Sequence, residues 1–417
     1  MNNFFQSVRI GFFLAYRSLK RASLWSTGLI VAVMILTFLN IVVVSGVLVG
    51  LIEGSVNAQK GRYLGDFFIE TLTEKTYVEN SQYLIGILEA LPEVDRISPR
   101  YLGGGTVESN YQFKVDPDDT AEEAGTVLVG IDPAHELAIT DLDQYLVEGT
   151  FIQENDFDQV VVGALLLKKY FDLDTEGFSV IDAELGDTVL IRADGVEREV
   201  VIKGIIKTKV DQNDRRIFFP EKQLRQMIGR DDFNVGEIAV SLVEGTNPDK
   251  FKEKLQALGF ERYAKIKTAE EAFPKFLEDI KDTFALLGNM ISSIGLVVAS
   301  ITIFIVIFIN ALTRKKFIGI LKGIGIDRRA IEFSYMFQSF FYAVIGSTVG
   351  LIILYGFLVP FVDANPIDFP FSDGILVAPI LSTAIRLAIL IVITLIAGYV
   401  PARMIVRQNT LDSILGR

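Results

Sequence analysis

The chain has 417 residues, half of them hydrophobic, a mean hydropathy of +0.39 and a formal charge of −12 at neutral pH. That is too apolar for an ordinary soluble protein, and the acidic balance argues against nucleic acid as a partner, since phosphate binding needs clustered Lys and Arg. There is no cysteine, which excludes disulfide stapling, thiolate metal sites and a cysteine nucleophile.

In chain order, Phe4, Phe5, Val8, Phe12, Phe13 and Tyr16 recur at roughly helical spacing with Arg9, Arg17 and Lys20 between them. The pattern predicts an amphipathic cytoplasmic helix over 1–24, lying on the inner membrane surface. Residues 25–52 form the first of four runs long and apolar enough to cross a hydrocarbon core of about 30 Å. This run is much longer than a secretory signal core and has no cleavage-like site, so it reads as a retained anchor.

Residues 53–283 hold 26 Lys and Arg against 46 Asp and Glu, a net of −20, so the remaining segments carry +8. A strand signal at 66–70 precedes a helix whose face is Leu84, Ile87, Leu88 and Leu91, ended by Pro92. The same grammar returns in Glu237 to Val243, the Asn247-Pro248 start signal, the face Phe251, Leu255 and Leu258, and the stop at Gly259. These read as two related strand-helix-strand units. Between them, a β-rich subdomain inserted at about 120–220 offers strands near Val127, Gln159, Thr188 and Val200. Residues 268–283 read as a helical stalk running into the next span.

The remaining divisions are a second span at 284–313, a basic segment at 314–332, a third span at 333–361, an outer loop at 362–376, a fourth span at 377–400 and a tail at 401–417. The predicted fold class is thus an α-helical membrane protein with four transmembrane helices and a large extracytoplasmic mixed α/β domain between helices 1 and 2. Basic residues mark the inner side. Arg9, Arg17, Lys20 and Arg21 precede span one, Arg314, Lys315, Lys316, Lys322, Arg328 and Arg329 lie between spans two and three, and Arg403, Arg407 and Arg417 follow span four. Both termini are then cytoplasmic, in a plasma (inner) membrane. Arg386, the one charge inside the fourth span, either snorkels to an interface or faces another helix.

Chemistry-bearing motifs are scarce. No Walker-type phosphate loop, Gly-x-Ser-x-Gly, His-Glu-x-x-His or Cys/His cluster occurs, so no catalytic, cofactor or metal residue is assigned. His135, the single histidine, reads as part of a turn entering a helix. Asp116, Asp118 and Asp119 lack the spacing of an EF-hand and read as a solvated loop, and Gly103-Gly104-Gly105 reads as a flexible turn. What stands out is Arg314-Lys-Lys-Phe-Ile-Gly-Ile-Leu-Lys-Gly-Ile-Gly-Ile326. Phe317, Ile318, Ile320, Leu321 and Ile324 put apolar side chains at helical spacing on a cytoplasmic element, which fits a partner groove.

That segment is similar to the Arg-Arg-x-Glu-Ile-Gly-Ile-Leu-Lys-Ala-Leu-Gly-Ala stretch of the MacB/FtsX-type permeases of ABC transporters, a family that includes LolC/LolE-like lipoprotein-release permeases. Pro401-Ala402-Arg403 with Asn409 to Ile414 resembles the family's ending. Val129 to Pro133, Glu148-Gly149, Val160 to Gly163 and Gly186-Asp187 match recurring family phrases.

The resemblance implies a permease without ATP-binding machinery of its own. It would work with separate ABC ATPase subunits that hold ATP and Mg, and pair with a second permease chain, as homodimer or heterodimer. A membrane-fusion or adaptor protein, or an external hydrolase, joins some family members, and membrane lipids surround all of them. The implied ATPase-coupling segment is Arg314, Lys315, Lys316, Phe317, Ile318, Gly319, Ile320, Leu321, Lys322 and Gly325. The implied activity is mechanotransmission: hydrolysis inside moves the domain outside, for export or extraction of a peptide, drug, lipid or lipoprotein, or to activate a cell-wall enzyme. An ATP-independent sensor or adhesin is the alternative from another class. Phe317 stands where the family has Glu, and Thr410 where its ending has Pro. Gly346 and Gly350, four apart, suit close helix packing and a seam between two copies.

Overall fold

The computed structural model describes residues 2–22, 24–113, 122–171, 179–273, 275–365, 367–369, 372–374 and 376–407. The acidic run Asp116, Asp118 and Asp119, and the terminal phrase Asn409 to Ile414 with Thr410, lie outside them. The chain divides into two compact units, one of residues 1–52, 279–368 and 373–417, the other of 53–278 and 369–372.

The chain begins with α1 (Asn2–Lys20) and α2 (Leu24–Gln59). The second unit then opens with a π-helical turn, Lys60–Leu64, and β1 (Phe67–Glu70), whose Phe67 and Ile69 point into one core while Phe68 points to the other face. After α3 (Ser81–Ala90) comes the long strand β2 (Val94–Ser109), and then β3 (Glu122–Ile131), α4 (Pro133–Leu137), β4 (Leu146–Gly149), β5 (Gln159–Gly163), β6 (Thr188–Ala193) and β7 (Val196–Ile206). The unit finishes with α5 (Asp211–Asp214), β8 (Arg216–Pro220), α6 (Glu221–Met227), β9 (Glu237–Leu242), α7 (Pro248–Ala257), β10 (Lys265–Thr268) and α8 (Ala269–Ala272).

The two strand-helix-strand units interleave. Strands lie in the order β10-β1-β9-β2 with every neighbour antiparallel, a split β-α-β arrangement. Leu84 and Leu88 of α3, and Phe251 and Leu255 of α7, each a helical turn apart, pack with Phe67, Ile69, Ile238 and Val240. Asn247 caps α7 by accepting from the backbone N–H groups of Asp249 and Lys250 at 3.0 and 3.1 Å.

The second half of β2 leaves this sheet and starts another. Pairing runs β2-β3-β8-β5-β7-β6 and returns from β6 to β2, so six strands close a ring, with β4 added on β7. Closure removes the exposed edges that an isolated β-rich insertion would carry. Gly103, Gly104 and Gly105, expected as a turn, lie inside β2 paired with Leu128, Val127 and Thr126. At Gly105 backbone proximity is the reason, since a Cβ there would come within 2.7 Å of the Arg192 carbonyl oxygen, whereas one on Gly103 would meet the Ile228 side chain at 3.0 Å and one on Gly104 nothing within 4 Å.

The expected stalk over 268–283 is also broken. Thr268 and Glu271 close a capping box on α8, and Phe273, which precedes Pro274, takes an extended conformation with ψ 133°. The helix that continues, α9 (Lys275–Thr313), starts after this break.

The chain then runs through α10 (Lys315–Gly323), α11 (Arg328–Ile353), α12 (Val359–Ala364) and α13 (Ile380–Val406), the last passing through Pro401. Among the described residues, four helical stretches, Thr27–Leu64, Asp282–Thr313, Arg328–Ala364 and Ile380–Val406, are long and apolar enough to cross a membrane. In this unit α2 is central. Gly346 and Gly350 of α11 sit against Met34 and Phe38, where added Cβ atoms would fall 2.4 and 2.5 Å from the neighbouring side chains. The close helix packing expected of this glycine pair is thus found within the chain, between α11 and α2. Gly295 of α9 approaches Asn40, and Arg386 of α13 donates to the Ser45 hydroxyl, so the charge in the fourth apolar helix faces a neighbouring helix.

Candidate coupling site

The basic segment between the second and third apolar helices folds as the short helix α10. Its end is a Schellman motif: Ile326 N–H donates to the Leu321 carbonyl at 3.0 Å, Gly325 N–H to Lys322 at 3.1 Å, and Gly325 takes φ +90°, a conformation glycine adopts without penalty. Asp327 then caps α11, accepting from Arg329 N–H at 3.2 Å.

Side-chain contacts fasten α10 and its flanks to neighbouring helices. Arg314, just ahead of α10, donates to the Ser18 hydroxyl of α1. Lys322 donates to the Val406 carbonyl at 2.9 Å, a favourable place for a cation because the last carbonyls of α13 have no partners within the helix. Burial, with Arg328 nearby, pushes the Lys322 ammonium pKa down. Ser7 of α1 donates to the Asp327 carboxylate at 3.1 Å. Rings extend the contact of α1 with α11: Phe4 meets Phe333, and Phe12 meets Phe337 and Phe341, with centroids 5.5 to 5.7 Å apart.

The expected coupling residues therefore divide by face. Ile318 and Gly319 are buried, and Lys315, Leu321 and Lys322 are half-buried. Lys316, Phe317, Ile320 and Gly325 are exposed, as is Ile324 beyond the end of α10. Phe317, Ile320 and Ile324, at i, i+3 and i+7, are 55%, 46% and 71% exposed and make an apolar stripe. Phe317, Ile318 and Leu321 also wall a cavity of about 400 Å³ shared with α1 and α11.

A second concentration of chemistry lies inside the unit of β1–β10, and sequence reasoning missed it. Arg100 of β2 forms a fork with Glu136 of α4, Nε to Oε2 at 2.8 Å and Nη2 to Oε1 at 2.7 Å, and its Nη1 reaches Glu237 of β9 at 3.1 Å. Arg216 of β8 donates to the same Glu237 at 2.7 Å and to the Tyr63 hydroxyl at 3.0 Å, while that hydroxyl donates to Glu237 at 3.1 Å. Arg100 also holds the Tyr63 carbonyl at 2.8 Å. Burial pushes the Glu237 carboxyl up, but Arg216 and Arg100 outweigh it and hold the pKa at about 2. The cluster thereby ties the π-turn that follows α2 to β2, β8, β9 and α4. His135, next to Glu136, is exposed and pairs with Asp132, the cap of α4. Among the described residues no His, Cys, Asp and Glu group could hold a metal ion.

The sequence model of the MacB-like periplasmic core domain matches residues 27–258, more than half of the chain, and that of the FtsX-like permease C-terminal region matches residues 289–410. The chain belongs to the MacB/FtsX-like family of ABC transporter permeases. An uncharacterized ABC transporter permease of Methanocaldococcus jannaschii is 23% identical to this permease over 277 residues, 64% of this chain and 65% of that one. The macrolide export ATP-binding/permease protein MacB of Nitrobacter winogradskyi is 27% identical over 218 residues, half of this chain and 32% of the relative. The permease thus spans less than two thirds of the length of either curated relative. Among solved structures, the periplasmic region of MacB from Actinobacillus actinomycetemcomitans is 16% identical with a TM-score of 0.35, covering 51% of this chain and 92% of that one. The extracellular domain of the transporter YknZ from Gram-positive bacteria is 15% identical with a TM-score of 0.31, covering 48% of this chain and 98% of that one.

Proposed function

We propose that this chain is the membrane subunit of a mechanotransmission ABC system in the plasma (inner) membrane, with both termini and α10 in the cytoplasm and the unit of β1–β10 outside. A separate ABC ATPase, which holds ATP and Mg, docks on α10. Closing of the ATPase pair displaces α10, and the displacement reaches the outer unit through α2 and α9, the helices in which the chain passes between the two units. A second permease chain completes the complex. The work done outside is export or extraction of a peptide, drug, lipid or lipoprotein.

The observation that carries this reading is the apolar stripe of Phe317, Ile320 and Ile324 on a helix whose other contacts are fastened to α1 and α13. Burying one such side chain is worth about 1.5–3 kcal/mol, so three of them supply a docking face of useful strength. Phe317 fits an ATPase groove that is apolar where the family pattern has an acid. The test is purification of the full chain from its native membrane in mild detergent, scored for a co-purifying P-loop ATPase, and repeated with Phe317→Ala and Ile324→Asp. The expected result is an ATPase with the parent chain and its loss from both variants. An ATPase held equally by the variants refutes the docking face, and none with the parent in several detergents refutes the permease mechanism.

A further inference from the structure

The cavity of about 400 Å³ behind α10 is walled by α1, α10 and α11, and its composition is uneven. Arg17, Arg21 and Arg314 contribute three guanidinium groups, and no carboxylate of the described residues lines it. The rest is largely apolar, with Phe13, Leu14, Leu321 and Ile331 among the lining residues. Along α11 the lining runs from Ile331 to Gln338, about 10 Å at the helical rise, into one of the four apolar stretches. Tyr335, 5% exposed, lines this stretch, and its hydroxyl forms no hydrogen bond to a described residue.

We propose that this cavity binds one anionic phospholipid, its phosphate held by Arg17, Arg21 and Arg314 and an acyl chain lying along Leu14, Ile331 and Tyr335. Charge and depth together select this occupant. Three cations without an acid call for an anion, and an apolar wall continuing along a membrane-length helix calls for hydrocarbon on the same molecule. An acidic protein segment satisfies the first condition and not the second. Tyr335 supplies a hydroxyl that a lipid ester oxygen can accept from. Because Phe317, Ile318 and Leu321 form one wall, a bound lipid fills the space behind α10 and fixes its position. That consequence rests on α10 being the coupling segment, whereas lipid binding itself does not.

The test is native mass spectrometry of the detergent-purified full chain titrated with phosphatidylglycerol or phosphatidylcholine, in the absence of any ATPase. Failure of the lipid site is therefore separate from failure of the coupling reading. The expected result is preferential retention of phosphatidylglycerol. Each arginine near an anionic headgroup contributes about fivefold, so Arg17→Gln with Arg21→Gln should weaken phosphatidylglycerol about 25-fold and zwitterionic phosphatidylcholine by much less. Equal retention of both lipids by the parent, unchanged retention by the double variant, or displacement by glycerophosphate as effective as by intact lipid overturns the proposal. A photo-crosslinking residue at position 14, activated in native membranes, gives a second measurement that does not depend on those variants folding. A lipid adduct is expected there, and a protein adduct in its place overturns the proposal.

Discussion

Replacing Arg100 with Met removes the guanidinium that bridges two buried carboxylates and keeps a side chain of comparable length. Arg100 and Glu136 expose only 2% and 1% of their side chains. Four hydrogen bonds are lost: two to Glu136, one to Glu237 and one to the Tyr63 carbonyl. Glu237 keeps Arg216, and Glu136 keeps the hydroxyls of Ser98 and Thr140 at 2.6 and 2.9 Å but has no remaining ion-pair partner among the described residues. Breaking a buried pair from one side costs about 3–5 kcal/mol, because it strands a charge away from water. The expected outcome for Arg100→Met is therefore a loss of about that size in the opening free energy of the unit of β1–β10. Adding Glu136→Leu should recover part of it by removing the stranded charge. The assay is amide hydrogen exchange of β2 and β9 peptides in the detergent-solubilised full chain. A single variant within about 1 kcal/mol of the parent, or a double variant less stable than the single one, refutes the reasoning.

Two further outcomes follow from the same structure. With Glu237 held at about 2, below its ordinary 4.5, its ionised form stabilises the fold above pH 4.5, and that contribution is lost as pH falls from 4.5 to about 2. Exchange protection of β9 should decline across that window, and a constant value through it contradicts the cluster. Gly350→Leu places its Cβ near 2.5 Å from the Phe38 ring and overpacks the α2–α11 seam at a cost of about 1–3 kcal/mol. Its detergent melting temperature should drop relative to Gly356→Leu, where a Cβ meets nothing within 4 Å.

Local signals were the legible part of the fold. The helix from Pro248 could be read from its Asn cap, the Phe251 and Leu255 spacing and Gly259, because each acts within a turn or two. The interleaving of β1, β2, β9 and β10 was not legible, since β1 and β9 lie about 170 residues apart and nothing in either strand names its neighbour. The glycine run in β2 misled because glycine in a strand, required at Gly105 by a close backbone, has the composition of a turn. In the candidate site, the apolar spacing of Phe317, Ile320 and Ile324 was visible, but the anchoring through Ser18, Val406 and Ser7 joins residues distant in sequence. The buried cluster was invisible for a related reason: Arg100, Glu136, Arg216 and Glu237 sit in an acidic region where single charges read as surface.

The position of that cluster matters more than its contribution to stability. Well-packed apolar residues often stabilise as well as a buried ion pair or better, so charge is an expensive way to fill an interior. What a forked Arg–carboxylate pair adds is direction, because its two parallel hydrogen bonds hold only when both planes are aligned. Here the pairs meet at Tyr63, in the turn that follows α2, with both guanidiniums over its ring at 5.2 and 4.8 Å. On the proposed mechanism this turn receives any displacement carried by α2, and a joint of defined geometry passes it to β2, β8 and β9, where freely sliding apolar contacts would dissipate it. The Arg100→Met, Glu136→Leu double variant separates the two roles. If geometry is what the cluster provides, that chain stays folded and keeps its ATPase, yet ATP no longer alters exchange in the ring strands. A response equal to the parent's would reduce the cluster to a packing feature.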